Sequence, residues 1–150
     1  MSQKSRLARQ VTLDEAWSSS EHSEICCLIY ATQNGWKLPI LFEEMGVPYD
    51  WALVDFEQSE QKSERFLKIN PNGRIPALID RARGVTVAES GAILEYSAAR
   101  FSSPLLPPAD EDLQLHLHTM QWLHWQVSAL GPSMGQALSL IHISEPTRRS

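Results

Sequence analysis

The chain has 150 residues, 43% hydrophobic and 21% charged, a globular composition with room for one domain or one domain plus part of another. A net charge of −5 speaks against a duplex-DNA partner, which needs a surplus of Lys and Arg, and no nucleic acid is expected. No apolar run approaches the ~18 residues of a membrane span. The two adjacent cysteines, Cys26 and Cys27, cannot build a disulfide framework, so a reducing, cytoplasmic setting away from membranes is expected.

Residues 1–24 are polar and without period. Lys4, Arg6 and Arg9 precede the first acidic residue, as in a transit peptide, but a secretory apolar core is missing and Asp14, Glu15, Glu21 and Glu24 follow. The segment reads as a mobile N-terminal extension. Order is expected from Ile25-Cys26-Cys27-Leu28-Ile29-Tyr30, a continuous apolar run that suits a strand buried on both faces. After the polar turn Thr32-Gln33-Asn34-Gly35, the residues Leu38, Leu41, Phe42 and Met45 form one helical stripe, and Gly46 supplies the stop. Pro39 suits this helix if its first turn begins near Leu38, and otherwise it kinks the start.

A second strand is predicted over about 49–54, and a weakly patterned, exposed helix over 57–69. Asn70-Pro71-Asn72-Gly73 breaks it, Ile75–Ile79 reads as a strand entered through a proline, Val85–Val87 as its return, and 89–100 as a helix. The resulting order is strand, helix, strand, helix, hairpin, helix: an α/β fold with one mixed sheet over residues 25–101. The prolines of 102–109 mark a linker. From 110 to 137, acidic residues at the start and the stripe Leu113, Leu117, Met120, Leu123, Val127 and Leu130, widened by Trp122 and Trp125, predict the first helix of a truncated helical domain. Residues 138–150 read as a non-native tail, because Leu138 to Arg148 resembles the in-frame translation of a sequencing adapter.

Three short motifs carry the chemistry. A strand feeding a polar turn and a helix start is an anion or thiolate site, because the free N–H groups of the first turn point at the ligand. The turn Thr32–Gly35 contains no sulfur, and Cys26 and Cys27 lie upstream within the strand, so any reacting thiol must arrive with the ligand. Ile75-Pro76 reads either as a trans proline at a strand start or as a cis proline that presents the Ile75 backbone to an extended peptide. Glu89-Ser90-Gly91 reads either as an ordinary cap or as a helix start where Ser90 holds a carboxylate and Glu89 an ammonium group. His116 and His118, two apart on a helix, diverge by about 200°, and no metal site is expected.

The order of these motifs resembles the N-terminal, thioredoxin-like domain of the glutathione transferase superfamily. Ala31-Thr32-Gln33-Asn34-Gly35-Trp36-Lys37 is similar to the Thr-Pro-Asn-Gly-x-Lys motif of its nu-class and yeast-prion-like group, the glutathione-dependent disulfide-bond reductases. Asn70 to Ala77, Glu89 to Ile93 and Leu123 to Pro132 fit the same group, so the likeness covers about residues 25–137. The resemblance implies that Thr32 and Asn34 are catalytic and lie against the glutathione sulfur. It implies that Ile75, before a cis Pro76, pairs its backbone with the cysteinyl unit, that Glu89 and Ser90 hold the γ-glutamyl ammonium and carboxylate, and that Lys37 meets the glycyl carboxylate. Gln33 stands where the motif has Pro, which loosens the turn, and Tyr30 is the rival hydroxyl. The implied activity is reduction of a disulfide or conjugation of a small electrophile by bound glutathione thiolate, with glutathione as cosubstrate, no metal, and a homodimeric parent. The alternative is a binding or regulatory module that keeps the fold without turnover.

Overall fold

The computed structural model describes residues 7–18 and 23–143, with side chains through 137. The chain divides into two compact units, residues 1–103 and 104–150. The first contains strands β1 (Ala8–Gln10), β2 (Ile25–Ile29), β3 (Tyr49–Leu53), β4 (Ala77–Asp80) and β5 (Val85–Ala88), with helices α1 (Gln33–Met45), α2 (Glu64–Leu67) and α3 (Ser90–Arg100). The strands form one mixed sheet in the order β1-β3-β2-β4-β5. β1 and β2 run parallel to β3, while β4 is antiparallel to both β2 and β5. This is the thioredoxin-like α/β arrangement that the motif order implied.

All five residues of β2 are buried because both faces of the sheet are covered. On one face Cys27, Ile29, Leu38, Phe42 and Ile93 gather beneath α1 and α3. On the other Cys26, Leu28, Ala52 and Ile79 meet Phe66 of α2 and Ile69. Burying side chains of this size contributes about 1.5–3 kcal/mol each.

Two expectations are corrected, and one open alternative is decided. The sheet begins at β1, inside the segment read as a mobile extension. Arg9 Nε reaches the fully buried Asp50 Oδ1 at 3.2 Å, and Val11 and Ala16 are buried, so burial and an ion pair order a stretch that has no period of its own. α1 begins at Gln33 rather than near Leu38, because Thr32 caps it: Thr32 Oγ1 accepts from the Gly35 N–H at 3.1 Å. Pro39 therefore sits inside the helix, where it has no N–H to offer the Gly35 carbonyl. The predicted helix over 57–69 shrinks to a 3-10 turn at Glu60–Lys62 and the single turn of α2, which Ser63 caps through the Phe66 N–H at 3.2 Å.

The second unit contains α4 (Leu113–Trp125), a π-helical stretch at Gln126–Leu130, and α5 (Gly131–Ile143). Asp112 caps α4 by accepting from the Leu115 N–H at 2.9 Å. The π stretch ends two residues before Pro132, which cannot donate to the Ser128 carbonyl and whose ring crowds that turn. α5 runs past residue 137 into the stretch read as a non-native tail. The rest of that tail, from 144 on, and residues 1–6 and 19–22 of the N-terminal stretch lie outside the described residues.

Candidate functional site

Strand register brings the three motifs together. Leu28 of β2 faces Ala77 of β4, and Ala77 faces Ala88 of β5, so these residues form one row across the sheet. The Thr32 turn follows β2 beyond that row, Ile75-Pro76 precedes it, and Glu89-Ser90 follows it. Neighbouring strands lie about 4.8 Å apart, so motifs separated by some forty and then a dozen residues share one end of three adjacent strands.

At the first motif, Thr32 is half-buried, and the Gln33 and Asn34 side chains are exposed. The Thr32 oxygen caps the helix and its hydroxyl hydrogen is left to donate. Gln33, where the motif has Pro, occupies the first helical position, and the turn keeps its cap without the proline. Gly35 is required by close approach: a Cβ there would lie 2.1 Å from the Tyr30 carbonyl oxygen. That contact pins the helix start against the end of β2. The Tyr30 ring stacks on Phe56 with centroids 4.6 Å apart.

The second motif has a cis Ile75-Pro76 bond, one of the two alternatives its sequence allowed. The preceding loop is tied by Asn70, whose Nδ2 donates to the Arg74 carbonyl at 2.6 Å and whose Oδ1 accepts from the Asn72 N–H at 3.0 Å. Asn72 Nδ2 donates in turn to Glu89 Oε1 at 3.4 Å, joining the second motif to the third. Glu89 adopts φ 70°, left-handed backbone that a non-glycine residue rarely takes, just before the first turn of α3. Ser90, which opens α3, is buried, and Lys37 Nζ donates to its Oγ at 3.1 Å. Burial holds the Lys37 amine below its usual pKa. Lys37 therefore stands beside Ser90, the residue expected to hold the γ-glutamyl carboxylate.

The cysteines are excluded as nucleophiles by their surroundings. Burial pushes the Cys26 thiol up to about 12 and Cys27 well above the ordinary thiol value, so neither forms a thiolate near neutrality. Beside the Thr32 turn, a cavity of about 370 Å³ is lined by apolar and aromatic residues that include Tyr30, Trp36, Pro39 and Trp51. Among the described residues, no group of three His, Cys, Asp or Glu is placed to hold a metal.

One residue escaped sequence reasoning. Gln61 Oε1 is buried without a hydrogen-bond partner, and the Gln61 carbonyl lies 2.8 Å from where a Cβ on Gly73 would stand. It therefore belongs to the wall behind the Asn70–Gly73 loop. A lone Gln in a charged stretch gives no signal of this.

Residues 29–99 match the family model described as glutathione S-transferase, N-terminal domain. The chain is 39% identical over 101 residues to the glutathione S-transferase-like protein gedE of Aspergillus terreus, covering 67% of this chain and 44% of gedE. It is 36% identical to the transcriptional regulator URE2 of Saccharomyces cerevisiae (70% of this chain, 30% of that protein) and 35% identical to the disulfide-bond oxidoreductase YfcG of Escherichia coli (77% and 54%). The solved structure of Ure2p in complex with glutathione superposes with a TM-score of 0.75 at 30% identity, covering 85% of this chain and 59% of that one. The chain thus spans from under a third to about half of the length of these curated relatives. Residues 29–99, with the cap, cis-proline loop and helix start described above, are a glutathione S-transferase N-terminal domain.

Proposed function

We propose that the shared end of β2, β4 and β5 binds glutathione, and that the bound thiolate reduces disulfides or attacks small electrophiles in a reducing, cytoplasmic setting. The observation that carries this reading is the row Leu28–Ala77–Ala88, which puts a capped helix start, a cis-proline strand entry and a Glu–Ser helix start at one end of three adjacent strands.

In this reading the Thr32 hydroxyl and Asn34 amide donate to the sulfur. With the α1 N-terminus, they favour its charged form. The Ile75 backbone pairs with the cysteinyl unit. Glu89 accepts from the γ-glutamyl ammonium, while Ser90, the first N–H groups of α3 and Lys37 face the carboxylate. In reduction, the thiolate forms a sulfur–sulfur bond with one sulfur of the external disulfide and expels the other as a thiolate. A second glutathione thiolate then attacks the mixed disulfide and releases the remaining thiolate with oxidised glutathione. In conjugation, the same thiolate forms a carbon–sulfur bond and the leaving group departs with its electron pair. The apolar cavity beside the turn suits an apolar second substrate.

A glutathione-binding module without turnover is the second reading, favoured by the likeness to a transcriptional regulator. Glutathione titration by calorimetry, followed by assays of a model disulfide and a model electrophile, separates the readings. Asn34→Ala is expected to lower turnover at least tenfold and affinity by less than threefold, since its contact strengthens as the thiolate forms. Saturable binding with no turnover of either probe would favour the binding module. Absence of binding would overturn both readings.

A further inference from the structure

α2 is a single turn, Glu64–Leu67, and a helix that short is not held by its own hydrogen bonds. Its position depends on its neighbours, and the N-terminal segment is prominent among them. That segment is itself a rigid turn: Glu15 Oε2 accepts from the Thr12 N–H and hydroxyl at 2.8 and 2.9 Å, and Thr12 Oγ1 accepts from the Glu15 N–H at 3.2 Å. Arg81 Nε, from the β4–β5 turn, donates to the Ala16 carbonyl at 2.8 Å and fastens the segment to the sheet. From this fixed base, Asp14 pairs through its carboxylate with Arg65 Nη1 of α2, and its carbonyl accepts from Arg65 Nη2 at 2.8 Å. Val11 and Ala16 share a buried cluster with Phe66 of α2 and Ile69, and Ile75 packs against the same cluster. Three residues after α2 comes Asn70, whose side chain shapes the loop leading to Ile75 and, through Asn72, reaches Glu89.

From this chain of contacts we infer that residues 11–17 are a strut that fixes α2, so that Asp14 and Arg65 act as positioning residues for the Ile75 backbone and Glu89. The inference rests on the glutathione reading. The strut includes none of the residues assigned to glutathione. Its effect is preorganisation: with α2 fixed, the loop loses less freedom when glutathione binds.

Arg65→Ala and Asp14→Ala, each in the full chain, are the test. Each is expected to speed amide hydrogen exchange across residues 66–75 and weaken glutathione binding by about two- to fivefold, the range of an exposed ion pair. Asp14→Arg combined with Arg65→Asp is expected to restore both, a rescue that general destabilisation would not give. Val11→Ala is expected to act in the same direction without any change of charge. Unchanged exchange at 66–75 in both single variants overturns the strut. Faster exchange with unchanged glutathione affinity overturns its link to the site, and failure of the reversed pair to rescue assigns the loss to general destabilisation. If the unmodified chain binds no glutathione, the functional reading falls, and exchange at 66–75 alone decides whether the strut exists.

Discussion

In the first unit, Leu38, Phe42, Phe66, Leu78 and Ile93 are fully buried, and even the carboxylates of Asp50 and Asp80 are sealed from water. In the second, no residue between 104 and 137 is buried, and Leu113, Leu117, Trp122 and Trp125 are about half exposed. Both units have well-formed helices, but different forces hold them. α4 depends on near neighbours: the Asp112 cap, the Thr119 hydroxyl donating to the Leu115 carbonyl at 2.9 Å, Trp122 Nε1 donating to His118 Nε2 at 3.0 Å, and the edge-to-face Trp122–Trp125 pair. α1 depends on a sheet whose partners come from across the unit. Caps and ring pairs suffice to shape a helix, whereas burial against distant residues makes its position intolerant of change.

That contrast can be broken or sharpened by mutation. The largest effect is expected at Asp50, which accepts from Arg81 Nη1 at 2.7 Å and from Arg9. Asp50→Ala strands the Arg81 guanidinium in the interior and should cost about 3–5 kcal/mol in denaturant unfolding. A cost under ~1 kcal/mol would mean the first unit is less tightly coupled than its burial implies. Gly35→Ala comes next. The added methyl meets backbone rather than a flexible side chain, so the loss should reach or exceed the upper end of ~1–3 kcal/mol, together with loss of glutathione affinity.

The third expectation concerns acid. Burial pushes the Asp80 carboxyl up, but hydrogen bonds from Tyr96, the Arg83 N–H and Arg100, with the Arg100 charge, outweigh it and hold its pKa below the ordinary 3.8. Asp80 therefore contributes stability that is present above that value and is lost as pH falls through its lower folded value. Acid unfolding followed by circular dichroism should show this loss, and Asp80→Asn should flatten that part of the profile. The smallest effect is expected in the second unit. Nothing lies within 4 Å of a Cβ on Gly135 in α5, so Gly135→Ala should leave stability unchanged or raise it by up to ~1 kcal/mol. Thermal unfolding of Gly35→Ala and Gly135→Ala side by side sets the two regimes in one measurement.

What could be read from the chain divides along a similar line. The strand Ile25–Ile29, the hairpin and the Glu89-Ser90 helix start were legible because apolar runs and breakers act over a few residues. β1 was not: Ala8-Arg9-Gln10 has no periodicity, and its pairing depends on Asp50, forty-one residues away. The start of α1 was left open because Pro39 suits a first turn near Leu38, whereas the Thr32 cap fixes the start at Gln33. The approach of Lys37 to Ser90 spans fifty-three residues and leaves no local trace. The Gly35 contact with Tyr30 was invisible for another reason: a motif names the glycine without saying which backbone it must let pass.

β1 has one more consequence, for the behaviour of the molecule among its copies. Without it, β3 would be the rim of the sheet, offering the unpaired backbone of Tyr49-Asp50-Trp51-Ala52-Leu53, an apolar stretch with two aromatic residues and a lone charge. Such a rim is a template for adding strands from other chains, the first step of ordered aggregation. The three residues of β1 pair with Tyr49 to Trp51 and replace that rim with one that is short and carries an arginine. On that side the sheet then ends on a strand of three residues with an arginine at its centre, a poorer template for a further strand than β3 would be.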